Sequence, residues 1–215
     1  MPIKPEREYR SINLRAAEPT DEKSFIVDGY ATTFGDTYEL YRDGKYVVME
    51  RVDNGAFKDA DMSDVVFQIN HEGRVYARTR NKSIELESDG HGLHHRTDLG
   101  LTSSSRSVYE DIEAGLYDRM SFAFTVKKDS YEEEEMENGD IVLTRTILEV
   151  GKVYDISVVD FPANPYTDIS ARSKDAIDGE IKRFEAERLH EQELREKRKA
   201  LLEQISRIME DNEND

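Results

Sequence analysis

Three residues in this chain carry chemistry that none of them could perform alone. Ser121 opens the stretch RMSFAFTV (119–126), His71 follows VVFQIN (65–70), and Asp155 interrupts VYDISVV (153–159). A serine hydroxyl is inert until a base takes its proton. An imidazole is the usual base near neutral pH, and a carboxylate can fix its tautomer and stabilise the imidazolium. Together the three residue types suit acyl transfer. Each also has a plainer reading. Ser121 could simply begin a strand, His71 could be a surface residue at a strand end, and Asp155 could pair with one of the arginines. A carboxylate placed mid-strand among β-prone apolar residues nevertheless requires some hydrogen-bonded partner.

The other histidines offer less. His91, His94 and His95 surround one turn, but His94 and His95 are adjacent and face opposite sides of a strand. No HxH spacing occurs, and His91 and His95, though four residues apart, fall on a turn and a strand rather than on one helix face, so a metal site is not expected. His190 lies in a highly charged segment. The chain has no cysteine, which excludes disulfides, thiolate catalysis and zinc-thiolate sites. No cofactor is expected.

Composition narrows the class further. The 215 residues hold 37% hydrophobic and 36% charged side chains, thin for one compact globule, so the charge must be concentrated somewhere. With 30 basic and 47 acidic residues the net charge is -17, which repels phosphate backbones and argues against nucleic-acid binding. The start, MPIKPEREYRSINLRAAEPT, has no apolar signal region, and no run reaches membrane-spanning length. A soluble protein acting in a cytoplasm is expected.

The elements that would position the three residues are strands. YRSINLRAAE (9–18) and KSFIVDGYATTFG (23–35) read as opening strands, and Asp43-Gly44 in ELYRDGKYVVMERV (39–52) signals a hairpin. DNGAFKDAD (53–61) reads as a loop with a short helical piece. DVVFQINHEG (64–73) reads as a strand running into a turn, and KSIELESDGHGLHHRTDL (82–99) as two strands around a turn. Residues 103–120 suggest a helix with Ser and Thr caps and a Val108, Ile112, Leu116, Met120 face. Strands are expected at 120–127, 141–149 and 152–160, the first two joined by the acidic YEEEEMENGD. In the first, Phe122, Phe124 and Val126 face the core and Ser121, Ala123 and Thr125 the other side. In the last, strict alternation puts Val153, Asp155, Ser157 and Val159 on one face. DFPANPYTD (160–168) is a proline-bounded exit loop, and the tail EDNEND should fray.

Composition then divides the chain into a β-rich domain at 1–172 and a charged helical or coiled-coil extension at 173–215. The extension is rich in Glu, Lys, Arg, Ala and Leu, with a narrow apolar stripe through Ile177, Ile181 and Phe184 and then Leu194, Leu201, Ile205 and Ile208. It reads as one long helix or two consecutive ones, suited to a partner or to another copy of itself.

GYATTFG, ERVDNGAF, INHEG, GLYDRMSFAFTV and VYDISVVDFPANP, in this order and spacing, resemble the prohead (capsid maturation) serine proteases of tailed bacteriophages. The likeness covers roughly residues 24–170 and is greatest to the group typified by phage HK97, with herpesvirus assemblins as more distant relatives. The resemblance implies an α+β fold whose β-rich closed sheet or small barrel is flanked by helices. It implies Ser121 as nucleophile and His71 as base. Asp155 falls where many members have glutamate, so as third member it stands beside Asp160 or a histidine from 91–95. The implied substrates are the scaffold segment of the major capsid protein, or a separate scaffold, and the chain itself. The implied place is the prohead interior in the host cytoplasm. A non-catalytic scaffolding protein on the same fold, or a protease–scaffold fusion, is the alternative.

Overall fold

The computed structural model describes residues 7–13, 24–160 and 171–213. Contacts divide the chain into two units, Met1–Ser173 and Lys174–Asp215. The first is a sheet-rich α+β body. Its strands are β1 (Glu8–Asn13), β2 (Ile26–Thr33), β3 (Tyr38–Asp43), β4 (Tyr46–Val52), β5 (Val66–Ile69), β6 (Glu72–Arg78), β7 (Ile84–Ser88), β8 (Gly92–Asp98), β9 (Arg119–Glu135) and β10 (Ile141–Val158). Helix α1 spans Ser103–Glu113.

The larger sheet is built around β9 and β10, antiparallel strands of 17 and 18 residues. One edge of β10 carries β9 throughout. The other carries β4 along Ile141–Ile147 and β5 along Asp155–Val158, both parallel. The sheet therefore forks, with the path β1-β9-β10-β4-β3 and the β5–β6 hairpin branching from β10. A second sheet has the order β2-β8-β7. This corrects the expected closed sheet or small barrel: β1 and β3 end the path unpaired with each other. A strand long enough to serve two partners on one edge favours branching over closure.

Local chemistry explains the elements that match the sequence. The Asp43-Gly44 hairpin forms with Asp43 opposite Tyr46, and Gly44 supplies the required positive φ of 57°. At Gly92 a Cβ would lie 2.1 Å from the Thr32 carbonyl oxygen, so only glycine permits β2 and β8 to approach there. Thr102 caps α1 by accepting a hydrogen bond from Ser105 N at 3.1 Å.

Other expectations are corrected. Residues 54–59 form turns rather than a helical piece. Helix α1 stops at Glu113, Gly115 takes a φ of 76°, and Leu116 is exposed, so the helical face ends at Ile112. Residues 141–158 form one strand instead of two. In β9, residues 120–124 are buried on both faces, so Ser121 and Ala123 are as enclosed as Phe122 and Phe124. The proline-bounded loop, apart from Asp160, and residues 14–23 lie outside the described residues, as do Asn214 and Asp215 of the expected fraying tail.

The core joins Val27, Phe57, Phe67, Leu93, Ile147, Val153 and Ile156 around the stacked rings of Phe122 and Phe124, whose centroids are 4.5 Å apart. A buried ionic cluster lies beside it. Arg10 binds Glu50 at 2.5 and 2.8 Å and Glu8 at 2.6 Å, and Arg145 binds Glu8 at 2.7 Å and Asp129 at 2.8 Å. Burial opposes the charge on both arginines, but the surrounding carboxylates outweigh it and hold both guanidiniums above their ordinary pKa. Removing one partner would strand a buried charge.

The second unit is helical. Helix α2 runs from Ala171 to Glu213 as one element, and Leu189, Leu194, Leu201, Leu202 and Ile205 are exposed along it. The side chain of Ile208, expected in the stripe, is outside the described residues. No helix among the described residues is long and apolar enough to cross a membrane.

His95 is fully buried on β8, with Nδ1 against Thr97 Oγ1 at 3.0 Å. Burial, with a small addition from His94 and partial opposition from Asp28, lowers its pKa from 6.5 to about 4. Above pH 6.5 folded and unfolded His95 are both neutral. Below that, the unfolded chain takes up a proton that the folded protein refuses until about pH 4, so stability falls as pH drops through this window. The expected contribution is about 3 kcal/mol by the lower end. Denaturant unfolding at several pH values should show a shallower loss for His95→Gln than for wild type. Equal slopes would remove His95 from the account.

Candidate active site

Ser121, His71 and Asp155 come from three different elements and meet. The geometry begins with a register. In the β9–β10 ladder Val153 faces Phe124, but Asp155 faces Ala123, because a bulge intervenes at Tyr154. Directly opposed residues share a face of the sheet. Val153 and Ile156 therefore both lie in the core with Phe124 and Phe122, which corrects the expectation that Val153 shares the Asp155 face. Without the extra residue Asp155 would oppose Phe122 and aim into the apolar core. With it, Asp155 and Ser157 join Ala123 and Ser121 on the opposite face, Ser157 directly across from Ser121.

His71 does not end a strand. It is the second residue of a two-residue turn between β5 and β6, where Ile69 faces Glu72. Asn70 and His71 both have positive φ, 52° and 58°, as a type I′ turn requires. β5 runs parallel to β10 with Val66 beside Asp155 and Ile69 beside Val158, so the turn sits at the Val158 end and the imidazole reaches back from it to Asp155.

The contacts form one chain. His71 Nδ1 lies 2.5 Å from Asp155 Oδ1, and His71 Nε2 lies 2.6 Å from Ser121 Oγ. An ionised carboxylate only accepts, so Nδ1 carries the proton and Nε2 is left to accept from the Ser121 hydroxyl. Ser157 Oγ donates to Asp155 Oδ1 at 2.8 Å. The side chains of His71 and Asp155 are 6% and 3% exposed, and Ser121 and Ser157 are fully buried. The ring of Tyr9 meets the imidazole edge-on, with centroids 4.6 Å apart. Low dielectric strengthens each of these bonds. The arrangement fits a hydroxyl nucleophile, a base within reach of its proton, and a carboxylate that orients the base.

The alternative third members lie elsewhere. Asp160 accepts from Asn70 Nδ2 at 2.9 Å. His94 Nε2 lies 2.9 Å from Asp28, His95 is bonded to Thr97, and His91 packs edge-on against Tyr30. Among the described residues no three His, Asp or Glu side chains stand close enough to hold a metal ion.

Sequence reasoning missed Ser157 and Asn70. Ser157 had a signal, since it lies two residues beyond Asp155 in an extended run and so shares its face. For Asn70 the signal was weaker: an αL-tolerant residue before His-Glu-Gly, in a segment that otherwise reads as strand.

A family model described as caudovirus prohead serine protease matches residues 10–180. A search of curated proteins and a search of solved structures each found no match.

Ser157→Ala removes one of the two hydrogen bonds that hold Asp155 and leaves the backbone untouched. Labelling of Ser121 by an aryl fluorophosphonate should slow by about tenfold, the worth of a hydrogen bond to a charged group. Mass spectrometry of the labelled peptide reads the rate. An unchanged rate would reduce Ser157 to packing.

Proposed function

The chain belongs to the caudovirus prohead serine proteases, and from that premise we propose that Ser121, His71 and Asp155 are its catalytic unit. The observation that carries the reading is the unbroken hydrogen-bonded chain from Asp155 through His71 to Ser121, at 2.5 and 2.6 Å. Ser121 Oγ attacks the scissile carbonyl carbon while its proton passes to His71 Nε2. The tetrahedral intermediate collapses, the peptide C–N bond breaks, and His71 gives that proton to the leaving amine. Water then attacks the acyl-enzyme with His71 again as base, releasing the new carboxyl end and restoring the Ser121 hydroxyl. Asp155 holds the ring and stabilises the imidazolium during both steps. No metal or organic cofactor takes part in this mechanism.

The substrates we propose are the scaffold segment of the major capsid protein, or a separate scaffold, and the protease itself, cut inside the prohead in the host cytoplasm. The chain would then be organised as a catalytic domain at 1–172 and a charged helical extension at 173–215. The exposed Leu194, Leu201 and Ile205 of α2 support a role in packing against helical scaffold or another copy. Deletion of 174–215 should lower incorporation into proheads, read by immunoblot of purified particles. Equal incorporation would sink the recruitment role.

The complete burial of Ser121 favours one second reading, a protease fold that serves only as scaffold. Expression of wild type beside Ser121→Ala separates the two. Truncation of wild type alone supports the protease, with a loss on the order of 10⁶-fold in Ser121→Ala. His71→Ala should match Ser121→Ala, because members of one catalytic unit are not additive. Identical intact chains from all three would favour the scaffold.

A further inference from the structure

We propose that Asn70 and Asp160 are a positioning clamp for the His71 imidazole, in which Asp160 acts as a hydrogen-bond acceptor and not as a charge. The proposal rests on the reading of Ser121, His71 and Asp155 as the catalytic unit.

The turn that presents His71 is costly. Left-handed backbone is natural for glycine; asparagine and histidine adopt it more readily than most side chains, but at a cost that glycine does not bear. A common choice for a type I′ turn is Asn-Gly; here the glycine position is His71. Something must hold two consecutive non-glycine residues at φ of 52° and 58°.

Three bonds do so, all through Asn70. Its backbone N–H donates to the Val158 carbonyl at 2.9 Å, extending the β5–β10 pairing by one residue. Its side-chain Nδ2 donates to Asp160 Oδ2 at 2.9 Å. Its Oδ1 accepts from the Asp160 backbone N–H at 3.2 Å. Between these contacts, Val159 N donates to the Arg119 carbonyl at 3.1 Å. The segment Val158–Asp160 thus ties the turn at once to the strand that carries Asp155 and to the start of the strand that carries Ser121. Through Asn70 the position of His71 is referenced to both of its partners.

The chemistry needed at position 160 is an acceptor. Aspartate and asparagine both provide one, and the backbone N–H is present in either. At position 70 the need is a donor and an acceptor together, which asparagine meets and aspartate does not: a carboxylate there faces a carboxylate. Exchanging the two side chains restores complementarity. A carboxylate at position 70 would accept both from a side-chain amide at position 160 and from the backbone N–H there. Aspartate also tolerates the left-handed backbone.

The test is the kinetics of Ser121 labelling by an aryl fluorophosphonate in the full chain, with thermal unfolding measured alongside. Asn70→Ala should lower the maximal labelling rate by about 10- to 100-fold, the scale of an ångström of misplacement, with the probe's apparent binding constant changed by less than about twofold. Asn70→Gly keeps the backbone freedom and loses the clamp, and should fall comparably. Asp160→Asn should stay within about threefold of wild type. Asn70→Asp should lose about tenfold or more, and Asn70→Asp combined with Asp160→Asn should recover most of it. The last comparison decides the matter even if Asn70→Ala fails to fold. Full activity in Asn70→Asp, or no recovery in the double variant, overturns the clamp. Asp160→Asn as inactive as Asp155→Asn would instead make Asp160 the required charge and also overturn it. An unlabelled wild type overturns the catalytic reading and the clamp with it, whereas a labelled wild type with an undiminished Asn70→Gly overturns the clamp alone.

Discussion

A carboxylate kept from water must be given every hydrogen bond that water would have supplied, and Asp155 is such a carboxylate. It sits near the end of β10, in the run Val153–Val158 whose other residues are mostly apolar. Two donors reach its Oδ1, His71 Nδ1 and the Ser157 hydroxyl. His71 would be out of reach if the strand alternated regularly, whereas Ser157, two residues on, shares the Asp155 face in either case. The bulge at Tyr154 turns Asp155 out of the core and onto the face of Ser121, and the same step puts Ser157 two residues on with the same outlook. One extra residue in a ladder thus decides whether the carboxylate is an unpaired charge in the core or the anchor of an imidazole.

That anchor requires close backbones. Ser121 and Asp155 belong to paired strands, and His71 follows the strand paired to β10 on its other side, so β10 lies centrally between the elements that bear the nucleophile and the base. This explains why the sheet forks. The half of β10 next to β4 belongs to the long acidic hairpin, while the half next to β5 belongs to the site. The ionic cluster of Arg10, Glu8, Glu50 and Arg145 fastens β1 across the same sheet, with Tyr9 between the two charged residues of β1 meeting the imidazole. Buried pairs of this kind gain little net stability, but each carboxylate accepts only one arrangement of donors.

Much of this was legible because the signals were local. Asp43-Gly44 names its own turn, Thr102 its helix start, and the Phe122/Phe124 alternation its buried face. The serine, the histidine and the aspartate were visible as residue types at element ends or in mid-strand, although nothing in a linear pattern says that three strands converge. What escaped was set by distant parts of the chain. The bulge at Tyr154 reverses a parity that sequence alternation takes as fixed, and only the opposing strand reveals it. The joining of 141–149 and 152–160 into one strand depends on β9 running unbroken beside both. The closed sheet was expected from the resemblance, and strand content could not correct it because it says nothing about which edges pair. Asp160 was weighed as a partner for His71 on its residue type alone; its side chain is engaged by the neighbour of that histidine instead.

Aspartate is the shortest carboxylate, so it reaches an imidazole only if the two backbones are brought near. A longer side chain would let the histidine sit on an ordinary strand end and span the gap by its own length. Here the approach is made by the main chain on both sides. The bulge re-aims the aspartate, and a left-handed two-residue turn places the histidine above it. Short side chains have few rotamers, so less conformational entropy is lost in fixing Ser121, Ser157 and Asp155 than long ones would lose. The cost moves instead into the backbone of Asn70 and His71, where it is met by hydrogen bonds to Val158 and Asp160. Strain in one turn is thereby exchanged for precision in a hydrogen-bonded chain. That exchange accounts for a histidine at a position where a glycine would fold more easily.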